Sequence, residues 1–348
     1  MKPLVAIDAD VLGRRRTGDE SYVAALLREL VPIADQERLA AITRHPELVP
    51  SGVEPVQLKA RSQPLRMAVR LPLLLRRLHP ALAHFLYVIP PGYRGQAVVA
   101  VHDLSFELMP ELMSRTDRFF FRTFVPRSTR RADRVLTGSE WTKRDLVERY
   151  GIDEGRIVVT PYGVDPIFRP EGPTHGGSPY ALFVGAIQPR KDPLTALEAL
   201  ARTNGDLRLV LTGPEKRGGG ELRAAIERLG LGGRVELTGH VSLDELAALY
   251  RGAACFVYPS RYEGFGLPVL EAMASGTPVV ATAAGAVPEV AGDAAVLVEP
   301  GDPAALAAGI ERALADRDRL VAKGLERARQ FSWAETARLT LETYRELL

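Results

Sequence analysis

Short apolar runs rich in Val, Ile, Leu and Ala alternate along this chain with longer stretches in which apolar positions recur at helical spacing. That alternation predicts parallel strands covered by helices on both faces. In the first half the expected strands are 4–8, 39–43, 83–87, 97–102, 135–137 and 157–160. Helices are expected at 21–30, 65–77, 115–131 and 139–150, the last with Ser139 in the capping position after a strand.

Residues 170–179 read PEGPTHGGSP and contain no apolar residue apart from proline and glycine. Such a segment predicts a linker, and the domain boundary is placed there. Beyond it the pattern restarts, with strands at 180–184, 207–211, 235–237, 254–258, 278–281 and 295–298. Helices are expected at 194–203, 221–229, 243–250, 269–274 and 303–315. The expected organisation is an N-terminal Rossmann-like domain (1–170), a linker (171–179), a second such domain (180–330) and a final helix (331–348) returning to the first. Two doubly wound domains of this kind place a cleft at the carboxyl ends of their strands, where ligands bind. No repeat of 20 to 50 residues is present, which argues against a solenoid.

Length supports two domains rather than one core. One cysteine, Cys255, excludes an intrachain disulfide and suits a reducing compartment. The N-terminus MKPLVAIDAD has no signal-peptide pattern, and no apolar run reaches the roughly 18 residues of a membrane span. A cytoplasmic protein is expected, with peripheral contact at the inner membrane face left open by the charge pattern. Residues 1–170 carry 26 Lys+Arg against 20 Asp+Glu, whereas the remainder carries 19 against 23. Arg66, Arg70, Arg76 and Arg77 fall among leucines, and further arginines run from Arg115 to Arg131. Such faces attract anionic lipid or an acidic acceptor, or are solvated helix faces.

The densest chemistry lies in 260–288, SRYEGFGLPVLEAMASGTPVVATAAGAVP. A strand end leads through Glu263 and a Gly264-Phe265-Gly266-Leu267 loop into a helix bearing Glu271. The glycines permit close backbone approach, and the helix start favours an anion. Two carboxylates can accept hydrogen bonds from hydroxyls, so the segment suits a phosphate together with a polyol. A second constellation runs from Phe183 through Gly185 to Arg190-Lys191-Asp192-Pro193. Here a strand and a glycine turn lead to adjacent cations and then to a helix capped by Asp192, an arrangement suited to a diphosphate.

His102 ends an apolar strand in the first half. The loop Arg16-Thr17-Gly18-Asp19-Glu20-Ser21-Tyr22 follows the first strand, and Gly18 there would allow close approach by phosphate or acceptor. It is not the G-x-G-x-x-G fingerprint of dehydrogenases. Asp8-Ala9-Asp10 has the spacing of a metal-holding pair, but no further carboxylate or histidine cluster joins it, and it reads as the polar end of a strand.

With Glu263 and Glu271, Arg190-Lys191 and His102 in place, the chain resembles the retaining glycosyltransferases of family 4, which have the α/β GT-B fold of two facing Rossmann-like domains. Tyr162-Gly163-Val164-Asp165 is similar to the segment closing the first domain in that family. The resemblance implies that Arg190 and Lys191 hold a donor diphosphate and that Glu271 accepts from the nucleotide ribose. It implies that Glu263 and the backbone of 264–267 position the donor sugar and distal phosphate. Gly185 would lie along the donor, Val241 in the base pocket, and His102 near the reacting carbon. Many relatives have Gly-Ile-Gly-Arg-Tyr in the first loop, where this chain has Gly18-Asp19-Glu20-Ser21-Tyr22, without the second glycine and the cation.

The family implies a hexose moving from a nucleotide-diphosphate sugar to a glycan or lipid-linked acceptor, and the overall pattern is similar to its mannosyltransferase-like branch, which implies GDP-mannose first and a UDP-hexose next. It implies no cofactor, no metal and no nucleic-acid partner. Arg190, Lys191 and the helix start would then balance the leaving diphosphate during front-side attack with retention. The alternatives are a nucleotide-sugar 2-epimerase, which would need acid/base residues around the sugar, and a sugar-nucleotide-binding protein without catalysis.

Overall fold

A computed structural model describes residues 2–14, 18–112, 114–203, 206–216 and 218–348. The chain divides into two compact units, Met1–Gly163 with Ser332–Leu348, and Val164–Phe331.

Seven parallel strands form the sheet of the first unit: β1 (Leu4–Asp8), β2 (Arg38–Thr43), β3 (Glu54–Gln57), β4 (Leu82–Leu86), β5 (Gln96–Ala100), β6 (Arg134–Thr137) and β7 (Ile157–Val159). Their order is β3-β2-β1-β4-β5-β6-β7, with Ile7 between Ala41 and His84 in register. The strand direction of growth reverses at β1/β4, the switch point at which doubly wound sheets open a crevice. β3 was not among the expected strands. Its sequence EPVQ has a proline and one apolar side chain, which suits only an edge.

The helix expected at 65–77 is present but interrupted. Gln63–Leu65 and Leu71–Leu78 flank a π turn over Arg66–Arg70. Leu71 N bonds to Arg66 O, five residues back, and Pro72 has no N–H with which to restore the four-residue ladder. The last helix, Trp333–Leu347, packs on Gly18–Leu30. It is tied down by Tyr344 OH against His84 Nδ1 at 2.6 Å and by Arg345 against the buried Glu37 at 2.7 Å. Gly163 makes its approach possible, since a Cβ there would fall 2.0 Å from Trp333 N.

The second unit holds six parallel strands: β8 (Tyr180–Val184), β9 (Arg208–Thr212), β10 (Val235–Gly239), β11 (Cys255–Tyr258), β12 (Val279–Thr282) and β13 (Ala295–Val298). Their order is β10-β9-β8-β11-β12-β13, so the switch point lies between β8 and β11. Buried Phe183, Leu209, Leu211, Val257 and Val280 meet Leu197, Leu222, Leu306 and Ile310 from the helices in one core cluster. Burial of such side chains contributes roughly 25 cal/mol per Å² of apolar surface.

The linker assignment at 171–179 requires correction. The chain passes between units at Gly163/Val164, and 164–179 belongs to the second unit. His175 N donates to Ala248 O at 2.9 Å, Arg251 Nε donates to Pro173 O at 2.7 Å, and Phe168 meets Tyr250 edge-on. A Pro/Gly-rich stretch need not be free when its backbone groups find partners on a neighbouring helix. Among the described residues no helix is long and apolar enough to cross a membrane.

Candidate functional site

In the second unit the chain leaves β8 through Gly185, whose φ of +150° is a glycine conformation. Gly213, after β9, comes so close that a Cβ on it would lie 2.2 Å from Gly185 O. From Gly185 the backbone reaches a single 3-10 turn, Pro189–Lys191, and then Asp192 in the left-handed region with φ +49°. Asp192 caps the helix Pro193–Leu200 by accepting from Thr195 N, and its other oxygen is 2.8 Å from Arg261 Nε. This tight exit turns Lys191 inward.

Lys191 is buried. Its Nζ donates to Glu263 Oε1 at 2.7 Å and to Tyr258 OH at 2.7 Å, and lies 4.8 Å from the Tyr258 ring centroid. Arg190 Nη1 donates to Glu263 Oε2 at 3.2 Å and to Tyr262 O at 3.0 Å. Arg190, Lys191 and Glu263 therefore meet at the β8/β11 switch point, with one net positive charge among them. Burial works to raise the Glu263 pKa, but the Lys191 and Arg190 charges and the Lys191 hydrogen bond outweigh it and hold the carboxyl at about 2. Stabilisation by this carboxylate is complete above the ordinary glutamate value of 4.5 and is lost as pH falls through about 2. Burial, then the Glu263 charge, pushes the Tyr258 hydroxyl well up, so it stays protonated.

After Glu263 come Gly264 and Phe265, whose side chain is buried and meets Phe331 edge-on, leaving backbone as what this residue can offer a ligand. Gly266, at φ +105°, starts the helix Leu267–Ala274. Glu271 lies in the second turn, half-buried, and accepts from Tyr250 OH at 3.0 Å. It is thus fixed by a neighbouring helix rather than serving the dipole of its own first turn. Val241 is half-buried between β10 and the capping box of Ser242 and Glu245.

In the first unit His102 follows β5 and is 9% exposed. Its Nδ1 shares a hydrogen bond with Tyr162 OH, and its ring meets those of Tyr22 and Tyr87 edge-on at 4.7 and 5.6 Å. Its Nε2 has no hydrogen-bond partner among the described residues, and Asp19 Oδ1 is 3.8 Å away. Burial pulls the His102 pKa down, against Asp19 and Asp103, and pushes the Tyr162 hydroxyl well up. Tyr162 in turn stacks on Trp333 with ring centroids 5.7 Å apart.

Gly18 opens the helix Gly18–Leu30 and is exposed, with nothing within 4 Å of an added Cβ. Arg16 and Thr17 of the same loop lie outside the described residues. Asp8 and Asp10 are engaged by arginines: Arg66 pairs with both, and Arg44 binds Asp10 at 2.7 and 3.1 Å. They border a cavity of about 120 Å³ at the β1/β4 switch point, together with Asp19, Tyr87 and Phe121.

Tyr258 and Gly285 are participants that sequence reasoning missed; Tyr162 and Asp19 were read as parts of the domain-closing segment and of the first loop, without their approach to His102. A Cβ on Gly285 would fall 2.1 Å from Glu263 O, and Ala286 N donates to that same oxygen at 2.9 Å. The glycine within the small-residue run Ala283-Ala284-Gly285-Ala286 was the available signal for a close backbone approach.

Two family profiles match the chain, "Glycosyltransferase Family 4" over residues 16–168 and "Glycosyl transferases group 1" over 165–331. The chain is 31% identical over 274 residues to the O-antigen chain mannosyltransferase B of Escherichia coli, covering 74% of this chain and 72% of that one. It is 38% identical over 236 residues to a D-inositol 3-phosphate glycosyltransferase of Nocardia farcinica, covering 61% and 52%. It thus spans about half the length of the latter enzyme. Among solved structures, sucrose-phosphate synthase from Thermosynechococcus elongatus superposes with a TM-score of 0.81 at 25% identity, over 100% of this chain and 99% of that one. Anabaena HepE in complex with UDP and glucose gives 0.75 at 19% identity, over 99% of each, a likeness of fold.

Proposed function

Since the chain belongs to glycosyltransferase family 4, we propose that it transfers a hexose, with mannose the preferred one, from a nucleotide-diphosphate sugar to a glycan or lipid-linked acceptor. Transfer proceeds with retention at the anomeric carbon and without a metal. The observation that carries this reading is the meeting of Arg190, Lys191 and Glu263 at the β8/β11 switch point, beside the loop 264–267.

A leaving diphosphate develops negative charge as the sugar–oxygen bond breaks. Preorganised cations stabilise that charge most where water is excluded. Glu263 holds both cations in place before the donor arrives, and the net positive charge of the trio suits a polyanion. Glu271 accepts from the ribose, Val241 borders the base, and Gly185 admits the diphosphate beside β8. The acceptor hydroxyl attacks on the face from which the diphosphate leaves, and a phosphate oxygen takes its proton. The mannosyltransferase relative supports mannose, and the HepE complex with UDP and glucose supports a nucleotide-bound sugar as donor.

His102 serves the donor sugar. Tyr162 OH engages Nδ1 and so fixes one tautomer of the ring, leaving Nε2 as the nitrogen that meets a sugar hydroxyl. Tyr162→Phe removes that hydroxyl while keeping the ring stacked on Trp333. We expect about a tenfold lower kcat and a changed pH profile of kcat, because the tautomer is no longer imposed. A profile and kcat equal to those of the parent protein would refute this role.

Melting the protein against GDP, UDP and ADP, with and without their hexoses, tests the donor. A bound nucleotide stabilises as RT ln(1 + [L]/Kd), so the cognate base gives the largest rise in Tm. Proton NMR of the first product reads the anomer. No rise with any nucleotide, or inversion, would refute the proposal. Release of an epimerised sugar nucleotide from donor alone would identify an epimerase instead.

A further inference from the structure

Between Glu54 and Asp103 the sequence contains no carboxylate, while Arg70, Arg76 and Arg77 fall within one helical stretch of it, beside the buried Arg66 that pairs with Asp8 and Asp10. In the structure this stretch, from Gln63 to Leu78, exposes large apolar side chains four residues apart: Leu65 is 37% exposed, Val69 43% and Leu73 47%. Positions at that spacing share one helix face. Arg70, Arg76 and Arg77 are exposed alongside them. The helix Arg115–Arg131 adds Phe119, 70% exposed, with Arg115 exposed one turn before it and Arg122, paired with Glu107, one turn after; Asp117 is the carboxylate of its first turn. Met67 of the first segment and Phe120 and Phe121 of the second line the same cavity of about 120 Å³ at the β1/β4 switch point. The two segments are therefore neighbours.

We infer that this face of the first unit docks on the surface of an anionic lipid bilayer. A water-facing helix gains nothing from a row of Leu, Val and Leu, whereas a helix lying in a headgroup layer buries it. The arginines reach anionic headgroups with their guanidinium ends while their stems cover apolar surface. A soluble polyanion would satisfy the arginines and leave Leu65, Val69, Leu73 and Phe119 in water, so the apolar row selects the bilayer. The surface needs no donor, and its occupant gives the acceptor reading of the proposed function a definite form: a lipid-linked acceptor presented beside the cavity. That last step rests on the glycosyl-transfer reading; the docking does not.

Full-length protein, without donor, is sedimented with phosphatidylcholine vesicles and with vesicles containing about a third phosphatidylglycerol. We expect at least tenfold stronger partition to the anionic vesicles and a marked loss at roughly 1 M salt. The triple substitutions Arg70→Glu/Arg76→Glu/Arg77→Glu and Leu65→Ser/Val69→Ser/Leu73→Ser should each weaken partition at least tenfold. All six positions are exposed, and circular dichroism with nucleotide-induced stabilisation verifies that each variant is folded; Phe119→Ser replaces a triple that is not. Equal sedimentation with both vesicle types, or folded variants that bind like the parent, would overturn the inference. So would heparin binding as tight as vesicle binding and insensitive to the apolar triple, which would mark a polyanion site. A failed nucleotide panel with intact vesicle binding would instead count against the transferase reading alone.

Discussion

Replacing Lys191 with alanine lowers the turnover of sugar transfer by about 10²–10³-fold, the loss that follows removal of one preorganised charge-stabilising donor from a site. The expectation rests on where the ammonium sits. Lys191 Nζ is buried, 2.7 Å from both Glu263 Oε1 and Tyr258 OH, and the following Asp192 cap keeps its backbone from following a side-chain change. Alanine removes the positive charge and also strands Glu263, which then faces burial with Arg190 as its remaining cation in this trio. The Glu263 pKa should rise from about 2, and the protein should lose stability at neutral pH because breaking a buried pair leaves an undercompensated charge. Turnover must therefore be measured below the melting point of the variant, beside nucleotide affinity. Lys191→Arg tests geometry against charge: a planar fork cannot occupy the place of a compact ammonium between Tyr258 and Glu263, so it should restore little. Full turnover in the alanine variant with the native donor would remove Lys191 from the mechanism.

Gly285→Ala is expected to be among the most damaging single methyl additions in the second unit, and it is one that strikes Glu263 directly. The φ of +60° at Gly285 is unfavourable for alanine, and its Cβ would fall 2.1 Å from Glu263 O and 2.9 Å from Glu263 N. Both are backbone atoms, so no flexible side chain can swing aside. The loop must separate from the Glu263 segment, breaking the bond from Ala286 N to Glu263 O. The cost is about 3 kcal/mol, or roughly a 10 °C fall in the melting temperature of a unit of this size. Unlike Lys191→Ala, this change leaves all three charged side chains present and displaces one of them, so nucleotide-induced stabilisation and turnover should fall together. A variant that melts with the parent protein and binds nucleotide equally would show that the contact carries no weight.

Glu263 illustrates how far local sequence could be read. The resemblance implied a carboxylate for the sugar and two cations for the diphosphate, as separate tasks. The structure brings all three into one hydrogen-bonded trio, with Glu263 pinning Arg190 and Lys191 across more than seventy residues of chain. Nothing in the spacing of Glu263 and Glu271 contains that pairing. It follows from β8 and β11 lying side by side, a neighbour relation set by the strand order. Likewise His102 was visible as a histidine ending a strand, whereas its partner Tyr162 is sixty residues on and its support Trp333 comes from the final helix. The edge strand Glu54–Gln57 was hidden by its proline, and the stretch 170–179 looked like a linker because composition does not reveal partners for backbone groups.

Sequence alone determined the two parallel α/β sheets, because burial on both faces demands apolar runs and covering helices demand a 3.6-residue period. It also determined the bounds of Tyr180–Val184, Arg115–Arg131 and Pro303–Ala315, where caps, turns and periodicity agree. Only the tertiary structure decided which charges touch, which tyrosines hold them, and that Gly285 leaves room for Glu263. Those relations depend on strand order and on backbone approach between distant segments, and local propensity carries no term for either.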